Sequence, residues 1–284
     1  MRIEEFRLLN GFINRFCGIK IDDDMRFVAE RKLSERVSAL GLSSFGDYYH
    51  YLRYHPDKKA ELERAVDVLT TNETYFFREF SQLVAFRDEV LPRLRELAAR
   101  KRSLTIWSAG CSSGEEVYTL AILISQSGLF KNWDVRIFGN DISRRVIQNA
   151  RRAIYSASSF RATPAEYECY FIDTPEGKMV DPSVRSMCHF GHFNLLDDAR
   201  AVMVGRVEAI FCRNVLIYFD QTARKNVIQT FYQRLCPGGY LMLGHSESLL
   251  HDSTAFELAH LLSDLVYRKP LSARSLFPPE MVKR

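Results

Sequence analysis

The run Ile106-Trp107-Ser108-Ala109-Gly110-Cys111-Ser112-Ser113-Gly114-Glu115-Glu116 passes from a short β-type stretch into a turn of small residues that ends in two adjacent carboxylates. Phosphate-binding loops offer bare backbone N–H groups at a helix N-terminus, usually with a lysine, whereas the charges here are acidic. A bound cation, ammonium or sulfonium, suits this turn better. A further acid, Asp141, closes Gly139-Asn140-Asp141 at the end of the next β-type stretch, where a carboxylate can accept from both hydroxyls of a ribose. It lies too far on for the dinucleotide fingerprint, whose acid falls about 20 residues after the glycines, and the third glycine of that fingerprint is absent.

Two more segments carry polar groups in unusual company. Arg213-Asn214 follows the apolar run 207–212, and burying them there is costly unless their donors are paired, so either a ligand or an internal carboxylate must meet them. Leu69-Thr70-Thr71-Asn72-Glu73-Thr74-Tyr75-Phe76-Phe77-Arg78-Glu79 sets hydroxyl, amide and guanidinium groups beside three aromatics, a lining suited to a site between domains. Taken alone, that segment reads rather as a helix start capped by Thr71 or Asn72 with its aromatics in the core. The cysteines (Cys17, Cys111, Cys169, Cys188, Cys212 and Cys236) form no CxxC and no Cys/His pair at zinc spacing, and the histidines do not cluster. Free thiols and no metal are expected.

The elements that must position these groups fall into two kinds. Residues 1–70 read as helical. Asp22, Asp23 and Asp24 offer N-caps, Met25, Val28, Ala29, Leu33, Val37 and Leu40 recur at helical spacing, and Gly41 sits where a helix should stop. The opposite face carries Arg26, Arg31, Lys32 and Arg36, with Arg53, Lys58, Lys59 and Arg64 beyond, and reads as a solvated face or as a docking surface for an acidic helix. Residues 71–100 form a linker that also lines the site. From 101 to 284, strands are predicted at 104–109, 135–140, 207–212 and 240–244, with 256–261 and 264–269 as a closing pair. Helices are predicted at 115–126, 143–155 and 221–235, the last stopped by Cys236-Pro237-Gly238-Gly239. This alternation implies an α/β fold with a mostly parallel sheet covered on both faces and ligands beyond the carboxyl ends of the strands. A Pro- and Gly-marked stretch, about 161–193, interrupts it and reads as a small inserted antiparallel β-subdomain that includes 178–180 and 186–190.

The chain is long enough for a real core and its composition is that of a globular protein. No apolar run reaches the roughly 18–20 residues of a membrane helix, and Glu4-Glu5 stand where a signal peptide would be apolar, so a cytoplasmic protein without membrane insertion is expected. A net charge of +4 is compatible with an acidic partner but is not a nucleic-acid signature.

Six stretches in order are similar to one family: Thr70-Thr71-Asn72-x-Thr74-x-Phe76-Phe77-Arg78-Glu79, Trp107-Ser108-Ala109-x-x-Ser112-Ser113-Gly114-Glu115-Glu116, Asp141-Ile142-Ser143, Phe193-Asn194-Leu195-Leu196, Phe211-Cys212-Arg213-Asn214-Val215-Leu216-Ile217-Tyr218-Phe219-Asp220 and Gly244-His245-Ser246-Glu247-Ser248. Over nearly the whole chain they resemble the CheR family of chemotaxis receptor methyltransferases. The resemblance implies an N-terminal all-α domain and a Rossmann-like class I methyltransferase sheet with an antiparallel closing strand. It implies S-adenosylmethionine as methyl donor, S-adenosylhomocysteine as product, and glutamate carboxylates of receptor cytoplasmic helices as acceptors, giving γ-methyl esters. Carried over by position, the cofactor site comprises Asn72, Thr74, Arg78, Glu115, Asp141, Asn194, Leu195, Arg213 and Asn214. Glu115 is favoured over Glu116 for the methionine ammonium, Arg78 for its carboxylate, Asp141 for the ribose, and Asn194 lies toward the adenine. Arg78 and Tyr218 are the expected catalytic residues. In some relatives the β-subdomain grips a receptor peptide by strand addition. Here the turn Thr174-Pro175-Glu176-Gly177-Lys178 is short, which shifts the expected recognition to Arg26, Arg31, Lys32 and Arg36. A monomer is expected.

A glutamate is already ionised at neutral pH, so this chemistry needs placement and exclusion of water rather than a strong base. Two rival readings remain. A nucleic-acid methyltransferase would need aromatic-interleaved basic clusters, which are absent from the sequence. A non-catalytic receptor-docking module would have no reason to keep the cofactor motifs.

Overall fold

The computed structural model describes residues 1–262 and 264–271. The N-terminal part is built from helices α1 (Ile3–Cys17), α2 (Arg26–Ala39), α3 (Phe45–Tyr54) and α4 (Lys58–Leu69), with a short 3₁₀ turn over Asp23–Met25. Leu9, Ile13 and Cys17 of α1 share one face and bury against Leu33 and Val37 of α2, Tyr48 and Leu52 of α3, and Ala65 and Val66 of α4. The polar side of this bundle differs from expectation at one place. Arg36 is no free docking residue: its Nε and Nη2 donate to Glu61 at 2.9 and 2.7 Å, and the Tyr48 hydroxyl donates to the same carboxylate at 2.9 Å. Glu61 is buried, so an unpaired carboxylate there would be costly, and Arg36 is drawn inward to neutralise it.

The strands are β1 (Ser103–Ala109), β2 (Asp134–Asp141), β3 (Ile154–Tyr155), β4 (Phe171–Thr174), β5 (Gly177–Val180), β6 (Cys188–His192), β7 (Val207–Cys212), β8 (Leu235–Leu243), β9 (Glu257–His260) and β10 (Leu265–Arg268). Seven of them form one sheet in the order β6-β2-β1-β7-β8-β10-β9. β6 to β8 pair in parallel, while β10 pairs antiparallel with β8 and β9. Period-two alternation sends Ile106, Phe211 and Met242 to one face, with the helix Glu115–Ser127, and Trp107, Ile210 and Leu241 to the other, with the helix Gln221–Arg234. This is the α/β fold with an antiparallel closing strand that the sequence predicts.

The boundaries of the insert are corrected. Residues 186–190 do not belong to it, because Cys188–His192 is the edge strand of the main sheet, parallel to β2. The helix predicted over 143–155 covers only Arg144–Arg152; Ala153 turns left-handed at φ +56, and Ile154–Tyr155 becomes a strand of the small sheet. That sheet, in the order β3-β5-β4, therefore lies between Ile154 and Val180 rather than between 161 and 193. The Cys236-Pro237-Gly238-Gly239 stretch does end the preceding helix, at Arg234, yet it lies inside β8, whose pairing with β7 shifts register there. Of the predicted methyltransferase domain, 263 and 272–284 lie outside the described residues.

The two parts meet at the end of α1. Gly18 caps that helix at φ +72; Asp220 N–H donates to its carbonyl at 2.9 Å, and Lys20 N–H donates to the Tyr218 carbonyl at 2.9 Å. Asn14 donates to the Asp220 carboxylate at 2.7 Å and Asn194 to the Phe16 carbonyl at 2.6 Å. A Cβ on Gly18 would come to 2.4 Å from Ala223 Cβ, besides straining the left-handed backbone. Gly18→Ala is therefore expected to cost about 1–3 kcal/mol in urea unfolding, as overpacking does elsewhere; wild-type stability would contradict this docking geometry.

Candidate functional site

The carboxyl ends of β1, β2 and β7 open into a cavity of about 470 Å³, closed from outside by residues 17–32 and 69–78. It lies where strand order reverses between β1 and β7, and its size is that of a small-molecule site. Gly110, at φ +77, lets the chain turn directly off β1; a Cβ there would meet Val215 Cγ2 at 2.6 Å. Trp107 Nε1 donates to Asn140 Oδ1 at 2.7 Å, and the Asn140 amide donates to the Phe193 carbonyl at 3.1 Å, so the ends of β1 and β2 are tied to the loop after β6.

Residues 70–79 work by dividing their side chains. Phe76 and Phe77 are fully buried: Phe76 stacks on Phe160 and Phe77 on Tyr167, both from the connection between β3 and β4. Phe76 N–H donates to the Ser159 carbonyl at 2.9 Å, and Ser112 Oγ donates to the Asn72 carbonyl at 3.0 Å. Asn72, Thr74 and Arg78 are left facing the cavity. Phe77 and Glu79 have φ +58 and +54, a strained backbone that the packing around them enforces.

Arg213 is the polar centre of the floor. Its side chain is 3 % exposed, and its guanidinium meets Glu79 at 3.1 Å and Glu116 at 3.2 Å and donates to the Arg78 carbonyl. Three segments distant in sequence are joined by one planar fork, a task a lysine ammonium performs poorly. Among the described residues its Nε and the Asn214 Oδ1, both buried, have no partner. Buried polar atoms are nearly always paired, so these two stand out beside the cavity.

Asn72, Thr74, Arg78, Asp141, Asn194, Leu195, Arg213, Asn214 and Tyr218 all line this one cavity. Asp141 receives Ser112 N–H on Oδ2 and Ser143 N–H on Oδ1, both at 2.9 Å. Burial pushes its carboxyl above the ordinary value, opposed by those backbone donors. Asn194 uses its amide nitrogen on α1, so it links the helical part to the cavity as well as lining it. Tyr218, 38 % exposed, stands near the mouth.

The paired acids reverse the expectation. Glu115 does not line the cavity; it is 2 % exposed and accepts from Ser113 and Ser159 hydroxyls at 2.8 and 2.9 Å, facing the insert. Successive helical residues lie about 100° apart, and it is Glu116 that turns inward, to Ser108 Oγ at 2.8 Å and Arg213. Sequence alone offered no signal to rank two acids at the same helix start. Among the described residues no group of His, Cys, Asp and Glu could hold a metal.

Residues 72–263 match the family model described as CheR methyltransferase, SAM binding domain, and residues 4–70 match that described as CheR methyltransferase, all-alpha domain. The chain belongs to the CheR methyltransferase family. It is 36 % identical over 278 residues to chemotaxis protein methyltransferase 2 of Vibrio cholerae, covering 95 % of this chain and 94 % of that one. It is 33 % identical to the chemotaxis protein methyltransferases of Vibrio parahaemolyticus, over 93 % of this chain and 96 % of that one, and of Escherichia coli, over 89 % and 87 %. As a CheR methyltransferase it uses S-adenosylmethionine, and the residues present fit that group: a carboxylate at the end of β2, amides at two further strand ends and two orphaned polar atoms surround a cavity of suitable volume.

A raised carboxyl pKa means that the folded state holds the Asp141 proton more tightly than the unfolded chain does. Its contribution to stability is complete below the ordinary value of 3.8 and is lost as pH rises through the folded value. Asp141→Asn removes this dependence. Unfolding free energies measured between about pH 4 and pH 7 should therefore shift in favour of the variant as pH rises, while its S-adenosylhomocysteine affinity falls about tenfold or more through loss of charged hydrogen bonds. A pH-independent difference would contradict the placement of this carboxylate.

Proposed function

We propose that the chain methylates glutamate side chains on the cytoplasmic helices of chemotaxis receptors, forming γ-methyl esters. One observation carries this reading: among the described residues the cavity is lined by Lys32 and Arg78 and by no histidine, while its carboxylates Asp22, Glu73, Glu116 and Asp141 are engaged by Lys20, Arg161, Arg213 and backbone N–H groups respectively. An amine or hydroxyl acceptor must lose a proton to a base, whereas a carboxylate arrives ionised and is drawn by cations. S-adenosylmethionine supplies an electrophilic methyl group on sulfur.

The chain's residues hold, orient and shield. Asp141 is assigned to ribose hydroxyls, Asn194 and Leu195 to the adenine side, and Asn72, Thr74, Arg213 and Asn214 to the remainder of the cofactor. Arg78 meets the cofactor carboxylate and offsets charge near the acceptor. Glu116 takes the place first given to Glu115, since it is the acid at the cavity wall. Tyr218 lines the approach of the acceptor from the mouth.

Arg26, Arg31 and Lys32 remain as the basic face of α2 for an acidic receptor helix; Arg31 is exposed. Lys32 reaches the cavity and donates to the Leu69 carbonyl at 3.0 Å, with burial holding its ammonium below the usual lysine range. A receptor helix docked there would present a glutamate to the cavity mouth. Acting on cytoplasmic helices, the enzyme would work in the cytoplasm, and among the described residues no helix is long and apolar enough to cross a membrane.

Transfer of radiolabelled methyl to a receptor cytoplasmic fragment should give label that mild base releases as methanol; base-stable label would contradict a carboxylate acceptor. Tyr218→Phe should lower kcat about tenfold, with the KM for methyl donor nearly unchanged, as loss of a contact specific to the transition state does. A rise in that KM alone would instead place Tyr218 in donor binding. Arg31→Ala should raise the KM for receptor, more so at low salt than at high salt, and leave S-adenosylhomocysteine affinity unchanged.

A further inference from the structure

The motif Gly244-His245-Ser246-Glu247 has no place in the cavity lining, yet it lies directly under it. Glu247 is buried, and among the described residues it pairs with no cation. Its carboxylate accepts four backbone N–H groups. Oε2 takes those of Asn214 at 2.8 Å and Gly244 at 2.9 Å, and Oε1 takes those of Val215 at 3.0 Å and Ile217 at 3.3 Å. Three of these donors belong to the loop that follows β7. The turn is closed by Glu247 N–H donating to the Gly244 carbonyl at 2.9 Å. A Cβ on Gly244 would lie 2.9 Å from Asn214 N and 3.0 Å from Glu247 Oε2, so glycine is what lets strand end, loop and carboxylate come together.

The loop does not hold this shape by itself. Asn214 sits at φ +58, and Val215 presses its methyls toward Gly110 in the turn after β1. Only an ionised carboxylate supplies two oxygens, each able to accept twice; a glutamine would point an NH₂ at backbone donors. Burial pushes the Glu247 carboxyl up, while the donors of Gly244, Asn214, Val215 and Ile217 hold it down.

We propose that Glu247 is a positioning residue for methyl transfer, acting through the loop 213–218 to fix the Asn214 amide and Tyr218 against the cofactor cavity. It touches neither donor nor acceptor. Its carboxylate sets the left-handed turn at Asn214, and that turn aims the orphaned Oδ1 while placing Tyr218 at the mouth. The inference rests on the placement of the cofactor in this cavity.

The experiment compares wild type with Glu247→Gln, Glu247→Asp and Glu208→Gln. Glu208 is a buried carboxylate near the opposite end of the sheet that accepts Thr105 N–H at 2.8 Å and lines no part of the cavity. Calorimetry with S-adenosylhomocysteine, steady-state kinetics and thermal unfolding are read for each. Glu247→Gln is expected to weaken binding at least tenfold and to lower kcat, whereas Glu208→Gln lowers thermal stability with binding and kcat within twofold of wild type. Glu247→Asp, too short to keep all four contacts, should fall between and carries the test if the glutamine variant does not fold. Wild-type affinity and kcat in either Glu247 variant, or equal losses in Glu208→Gln, would overturn the proposal. Failure of wild type to bind S-adenosylhomocysteine would instead overturn the cavity assignment beneath it.

Discussion

The site depends on one buried guanidinium. Arg213 stands at the end of an apolar strand, and its charge is met there because Glu79 comes from the segment after the helical domain and Glu116 from the helix after β1. Either acid alone would balance the cation, and the two together leave one carboxylate charge in excess. The fork also donates to the Arg78 carbonyl, which ties the 78–79 segment to the floor. A floor that is polar, paired and rigid can then leave selected atoms unpaired toward the cavity.

Around that fork the helical bundle and the sheet wall one site, and the insert braces them. The bundle contributes the end of α1 and the start of α2, fixed through Gly18, Asn14 and Asn194. The insert contributes nothing to the lining but clamps it from behind, with Phe160 and Tyr167 holding Phe76 and Phe77 and Ser159 holding Glu115. Contacts remote from the lining therefore decide which side chains face the cavity. Raised carboxyl pKa values at Asp141, Glu115 and Glu247 show the cost of keeping charge in this region.

Much of this is legible in the sequence. Short β-type runs between helical stretches point to β1, β2 and β7, whose bounds agree with the structure within a residue, and the polar groups at their ends mark the site because burial without a partner is costly. What escaped the sequence was of three kinds. β6 was assigned to the insert because a half-buried edge strand beside Pro- and Gly-marked turns looks the same in either sheet. Arg36 read as surface because its partner, Glu61, lies on another helix whose packing the sequence does not state. The choice between Glu115 and Glu116 turned on one step of helical rotation, fixed only by where Arg213 and Ser159 sit. Glu247 was visible as part of a motif, but its reach to a loop 30 residues earlier depends on β7 and β8 being neighbours in the sheet.

The central claim is that the planar fork of Arg213, and not merely its charge, assembles the cofactor site. Calorimetry of S-adenosylhomocysteine binding to Arg213→Lys tests it most directly, since lysine keeps the cation and loses the geometry. The predicted result is a folded protein whose affinity is lower by about tenfold or more. Wild-type affinity in that variant would contradict it.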